Sequence, residues 1–213
     1  MKRLNTLAFI LVGWLAFAMS AFTAGPFVEG KHYSRLDNAV PVRDNGKIEV
    51  AEIFSYACGH CFTFEAVVQD WKKVLPDDVN FVRLHVTWDR MTKNLARALY
   101  TAQALDVMDE VHPGLFRALH MERKPLQSKE QIGQVFAKQR VDMELFNKTF
   151  DSFGITSQVN QAESKIAGAR VSSTPTLLVD GRYVINASVE VNHETMLEIA
   201  DYLVEQVRQQ RGN

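Results

Sequence analysis

Residues 47–75, KIEVAEIFSYACGHCFTFEAVVQDWKKVL, change their period half-way along. Lys47 to Phe54 is a β-branched and aromatic run after the turn residues Asp44-Asn45-Gly46, which predicts a buried strand. From Cys58 onward the apolar positions Cys61, Phe64, Val68, Trp71 and Leu75 fall at spacings of 3 and 4, one face of a helix. Pro76-Asp77-Asp78 stops that helix. Val79 to Val86 (VNFVRLHV) then predicts a second strand, with Val82, Leu84 and Val86 on one side. Strand, helix and strand in this order favour a parallel crossover.

Downstream the pattern is helical. Thr92 opens a run through Leu95, Leu99, Ala102 and Leu105; Val111-His112-Pro113-Gly114 interrupts, and Leu115, Phe116 and Leu119 form a short successor. Ser128-Lys129-Glu130-Gln131 is a capping box, in which the serine and the glutamine each satisfy a helix-end N–H, with Ile132, Val135 and Phe136 as the buried face. Asp142 caps a helix that uses Leu145, Phe146 and Phe150. Residues 89–153 carry no strand pattern and are expected to form a helical insert. After a helix running from Thr156 to Ala169, Thr176–Val179 and Arg182–Ile185 flank Asp180-Gly181, a hairpin turn whose positive φ angles match strand twist. Asn192 caps a last amphipathic helix with Met196, Ile199, Leu203 and Val207 inward.

The whole chain has 213 residues, 46% hydrophobic and 23% charged, which excludes a disordered tail, a collagen-like fibre and a coiled-coil rod. A formal net charge of −1 gives no basic excess for nucleic acid. Lys2 and Arg3 precede an apolar run, Leu7 to Phe22, and small residues up to Ala24, which describe a secretory signal over residues 1–24. An uncleaved anchor helix is the alternative, since the run approaches the ~18–20 residues that span a bilayer. Either reading places the remainder outside the cytoplasm, because Lys2 and Arg3 stay inside. Removing residues 1–24 leaves a net charge of −3. Two cysteines, Cys58 and Cys61, make no disulfide framework, so the fold must rest on its apolar core.

Cysteines three apart at a helix start can close a small disulfide. Cys58 falls where unsatisfied N–H groups and the helix dipole favour negative charge, so its thiol should be acidified. His60 can add positive charge or a hydrogen bond. A fall of ~2 pKa units is roughly 2.7 kcal/mol, or about 60 mV for two electrons, toward giving the disulfide away. Cys61 begins the buried helix face and should react slowly. Half of a zinc site is the competing reading, but structural zinc wants four ligands. No third cysteine exists, and His32, His85, His112, His120 and His193 show no paired spacing. A second feature is Ser172-Ser173-Thr174-Pro175-Thr176 before a strand; taken alone, Pro175 marks a strand entry in an ordinary trans turn.

The order β-α-β, helical insert, α-β-β-α, with Cys58-Gly59-His60-Cys61 opening the first helix, resembles the thioredoxin fold, an α/β fold. More specifically, the signal, Glu52-Ile-Phe-Ser-Tyr-Ala-Cys58-Gly-His-Cys61-Phe-Thr-Phe-Glu65, the insert and Thr174-Pro175 resemble the DsbA family of periplasmic thiol:disulfide oxidoreductases. The resemblance runs from Gly30-Lys31-His32-Tyr33 to the last helix. It implies a thioredoxin-like domain in two parts, residues 25–88 and 154–213, around the insert 89–153. It implies a dithiol oxidase in which Cys58 forms the mixed disulfide and Cys61 resolves it. Pro175 would be a cis-proline beside the cysteines, with Thr174 offering backbone groups to an extended peptide. Glu52, six residues before Cys58, matches a buried acid that exchanges protons with the inner cysteine. Glu65 and Arg83 match a charge pair near the site, arginine replacing lysine; the plainer reading makes them a solvated helix residue and a surface strand residue. His85 should face the same region as a satisfied structural histidine.

The resemblance further implies a periplasmic monomer, secreted-protein substrates, a membrane quinone-linked partner of the DsbB type as oxidant, and no cofactor beyond the sulfur pair. Two departures stand out: the family's usual Pro-His dipeptide is Gly59-His60 here, and its usual valine before the cis-proline is Thr174. Both lean toward an isomerase or reductase of the same fold, although such periplasmic enzymes dimerise through an added domain for which this chain has no room. A peptide-binding chaperone or metal-binding module on the same fold is the third reading.

Overall fold

A computed structural model describes residues 25–43 and 45–212, so the expected signal over residues 1–24 lies outside the described residues. Among the described residues no helix is long and apolar enough to cross a membrane. A five-stranded sheet has the order β1-β5-β4-β2-β3, from β1 (Ser34–Arg35), β2 (Ile48–Phe54), β3 (Val79–His85), β4 (Thr176–Val179) and β5 (Tyr183–Asn186). Strands β2 and β3 pair in parallel across the crossover helix α1 (Gly59–Lys72), and every other pairing is antiparallel. Strand β2 is buried along its whole length, as a central strand must be. Its alternate residues feed different layers. Ile48 and Val50 pack with Phe64, Val68 and Trp71 of α1 and with α7 (His193–Gly212). Ala51 and Ile53 pack on the opposite face with Ile166 and Ala169 at the end of α6 (Phe153–Gly168).

The β4–β5 hairpin turns at Asp180 (φ 52°) and Gly181 (φ 64°), the pair of positive angles its Asp-Gly dipeptide predicts. A Cβ on Gly181 would stand 2.1 Å from the Val40 carbonyl oxygen, so this glycine also admits the close pass of the chain that leads from β1 to β2. Strand β1 is a two-residue edge, too short to carry a period in the sequence.

Between β3 and α6 lie four helices: α2 (Arg90–Ala104), α3 (Met108–His120), α4 (Lys129–Lys138) and α5 (Met143–Phe150). Their shared core continues without a break into Phe54, Tyr56 and Cys61. The insert therefore packs directly on the cysteine end of the sheet.

Several helix boundaries differ from the expectation. Helix α2 is capped by Asp89, and Thr92 is the third residue of its capping box rather than its opening. Val111-His112-Pro113-Gly114 does not interrupt a helix; it lies inside α3. Pro113 there forgoes one backbone bond, and Gly114 leaves room for Val135, whose Cγ1 would stand 3.2 Å from an added Cβ. Helix α6 starts three residues before Thr156, on the Ser152 cap. Leu145 is exposed, so α5 buries Phe146 and Phe150 alone of the three expected. The box at Ser128–Gln131 and the caps Asp142 and Asn192 cap their helices as read.

Candidate active site

Cys58 is the N-cap of α1, in an extended conformation (φ −85°, ψ 120°), and its Sγ accepts the Cys61 backbone N–H at 3.4 Å. The cap position, filled by serine or aspartate in most helices, here holds a sulfur. No acidic residue shares the first turn, so nothing competes with a thiolate for the positive end of the helix. The Cys58 thiol donates to the Thr174 carbonyl oxygen at 3.4 Å, and the Thr174–Pro175 peptide is cis, so the two distant motifs meet. The hydrogen bond with Cys61 leads the forces on Cys58. Against the cost of partial burial, and helped by the Thr174 side chain and the His60 backbone N–H, it lowers the thiol from 9.0 to about 5. Cys61 goes the other way: its bond to Cys58 and its burial hold its thiol far above the ordinary range. The two sulfurs are thus unlike, as their places on the cap and on the buried face dictate.

His60 is exposed and serves Cys58 through its backbone; its imidazole stands 6.5 Å from the ring of His193 at the start of α7. Gly59, the first helical residue, needs no special φ, and nothing lies within 4 Å of an added Cβ. Glycine is therefore not demanded there, and a proline would fit this first-turn position as well.

Glu52 is fully buried on the β2 face turned to α1, between Val50 and Phe54 in alternation. Its Oε2 accepts Arg83 Nε at 2.9 Å, and its Oε1 is buried without a partner. Burial raises its carboxyl to about 7 despite Arg83. Arg83 spans to Glu65, giving Nη2 to both carboxylate oxygens at 3.0 and 2.9 Å. Arg83 and Glu65 are both largely buried, so the reading of a solvated pair fails: Arg83 is fastened between two carboxylates. Burial pushes the Glu65 carboxyl up, but His112, Arg83 and Gln69 together hold it below its ordinary value.

Two groups beyond the sequence reading join this cluster. His112 Nε2 lies 3.1 Å from Glu65 Oε1, off the hydrogen-bonding direction, and its Nδ1 pairs with the Tyr56 hydroxyl at 2.7 Å. Tyr56, two residues before Cys58, is held at every polar atom by a different histidine. Its N–H donates to His85 Nε2 at 2.9 Å, its carbonyl meets His120 Nε2 at 2.8 Å, and its hydroxyl meets His112. His85 is the satisfied structural histidine expected, its Nδ1 on the Val86 carbonyl at 2.7 Å and its pKa lowered by burial to about 4. His112 and His120 share α3, about 80° apart around its axis. Reading Pro113 as a break put them on separate segments and hid the pair.

Glu65, Arg83 and His112 also wall a groove of about 1600 Å³ that touches neither cysteine. Among the described residues no cluster of His, Cys, Asp or Glu could hold a metal ion.

A family model described as a DSBA-like thioredoxin domain matches residues 49–197, covering both cysteines, the insert and the Thr174–Pro175 loop. The chain belongs to the DSBA-like thioredoxin family. It is 36% identical over 202 residues to the thiol:disulfide interchange protein DsbA of Pseudomonas aeruginosa, covering 93% of this chain and 96% of that protein. It is 32% identical over 208 residues to DsbA of Azotobacter vinelandii, covering 93% and 97%. The crystal structure of P. aeruginosa DsbA superposes with a TM-score of 0.84 at 35% identity, over 88% of this chain and 97% of that one. This DSBA-like protein is a thioredoxin-fold thiol:disulfide oxidoreductase with a helical insertion, and Cys58-Gly59-His60-Cys61 is its cysteine pair.

Proposed function

We propose that the protein is a dithiol oxidase that gives its Cys58–Cys61 disulfide to newly exported proteins in the periplasm, residues 1–24 being the export signal. The observation that carries this reading is the split between the sulfurs, Cys58 lowered to about 5 and Cys61 pushed far up. A substrate thiolate attacks Cys58; the new S–S bond forms as the Cys58–Cys61 bond breaks, and Cys61 leaves with the electron pair and takes a proton. Glu52, raised to about 7, is half-protonated near neutrality and supplies that proton. The substrate's second thiolate attacks its own bridging sulfur, and Cys58 departs as a thiolate. Its low pKa makes it the better leaving group. The substrate strand docks against Thr174; once Cys58 has no proton to give, the Thr174 carbonyl is free for a substrate N–H. A membrane quinone-linked partner of the DsbB type reoxidises the pair, and the enzyme works as a monomer.

Limited alkylation of the reduced native protein at about pH 6, followed by mass mapping, tests the assignment. Cys58 is expected to carry nearly all the label. Preferential labelling of Cys61 would reverse the two roles.

A further inference from the structure

The helical insert reaches the proton chemistry of the cysteine pair through one side chain. His112 enters the cluster from α3 with Nδ1 paired to the Tyr56 hydroxyl at 2.7 Å and Nε2 in close contact with Glu65 Oε1 at 3.1 Å, off the hydrogen-bonding direction. It is caged by the rings of Phe54, Tyr56 and Phe116, with centroids at 5.8, 5.2 and 5.2 Å. Burial disfavours charge on the imidazole, and Tyr56 keeps its proton because burial raises the phenol. With the Glu65 carboxylate facing Nε2, the neutral ring carries its proton there, and Nδ1 accepts from the Tyr56 hydroxyl. Donors then run in one sense: Tyr56 to His112, His112 toward Glu65, and Arg83 to both Glu65 and Glu52. At the end of this row Glu52 Oε1 is the buried carboxylate oxygen left without a donor.

We propose that His112 is a positioning residue for proton transfer at Cys61: it holds Glu65 in its two-oxygen grip on Arg83, so that Glu52 keeps Oε1 free of a second donor. This rests on the reading of Glu52 as the proton partner of Cys61. The insert thereby tunes the reaction through a side chain of α3. Without the Nε2 contact, Glu65 turns toward the groove, Arg83 is drawn wholly to Glu52, and the open oxygen is occupied.

Asparagine and glutamine separate the two ring nitrogens, because the asparagine amide overlays Nδ1 and the glutamine amide overlays Nε2. The reaction to follow is resolution of the Cys58–glutathione mixed disulfide. Cys61 loses its proton, its thiolate attacks the Cys58 sulfur, the enzyme disulfide forms and glutathione leaves as a thiolate that picks up a proton. Acid quenching and mass measurement at neutral pH give the rate. Glu52→Gln and His112→Asn are each expected to slow it about tenfold, while His112→Gln stays within about twofold of the parent. A parental rate in His112→Asn alongside a slow Glu52→Gln overturns the role of His112 alone. A parental rate in Glu52→Gln overturns the reading of Glu52 beneath it, and this proposal with it. Should His112→Asn fail to fold, His112→Gln still decides: a loss beyond about fivefold overturns the proposal, because that variant retains an N–H facing Glu65.

Discussion

Urea melts of the reduced and oxidised forms should diverge as pH rises from about 5 to about 9, with the reduced form gaining. The cause is the Cys58 thiolate, which exists only in the reduced protein. Its folded pKa is about 5 against an ordinary 9.0, a depressed value. A depressed group contributes stability that is full above the unfolded pKa and is lost as pH falls through the folded pKa. The gross effect over that window is about 5 kcal/mol, of which about 2.7 is realised at pH 7. Cys58 is only half-buried, so screening by water reduces the neutral-pH figure to about 1–2 kcal/mol. Closing the four-residue loop favours the oxidised form by a fixed amount, and that amount does not vary with pH. The slope with pH therefore isolates the thiolate. A gap between the two forms that stays constant from pH 5 to pH 9 would remove the thiolate from the mechanism.

Arg83→Met should cost about 3–5 kcal/mol, because it strips the shared cation from two carboxylates held out of water. The loss is expected to depend on pH. Once the pH is low enough to protonate both glutamates, only packing and hydrogen bonds are lost. As pH rises, Glu65, held below its ordinary value in the parent, must ionise without Arg83, and the gap opens. Above the parent Glu52 value of about 7 it widens again, since the variant keeps Glu52 protonated while the parent does not. Melts at about pH 4 and about pH 8 measure both ends. A deficit below about 1 kcal/mol at both would mean that the Glu52–Arg83–Glu65 cluster is solvated after all.

What the sequence disclosed and what it hid divide along physical lines. Local signals were legible: the sulfur cap at Cys58, the box at Ser128, the cap at Asp142, and the Asp180-Gly181 turn each depend on a few adjacent residues. The face from Cys61 to Trp71 needed only the helical period. The cluster was half legible. Glu52 was conspicuous as an acid inside an apolar strand, whereas Glu65 and Arg83 are common residue types whose burial only the packing of the insert decides. Tyr56 and its three histidines were not legible, because their meeting joins β3, α3 and the loop before Cys58 across up to 64 residues. Pro113 added a false boundary at the point where α3 carries His112.

The two departures from the family pattern also look different in three dimensions. Thr174 was expected to pull the chemistry toward isomerase or reductase, yet its side chain helps lower the Cys58 thiol. Gly59 adopts helical geometry in open space, so its freedom is not used in the fold. The Thr174 contribution leans back toward disulfide donation.

Equilibration with glutathione buffers at neutral pH, scored by the fraction of Cys58–Cys61 reduced, tests the claim of disulfide donation most directly. Thioredoxin pairs a cysteine pKa of about 7 with about −270 mV, and DsbA pairs about 3.5 with about −120 mV. A Cys58 near 5 places this protein between them, at about −180 mV, on the donating side of the cytosolic glutathione poise. A potential at or below about −250 mV would make it a reductant and contradict the account.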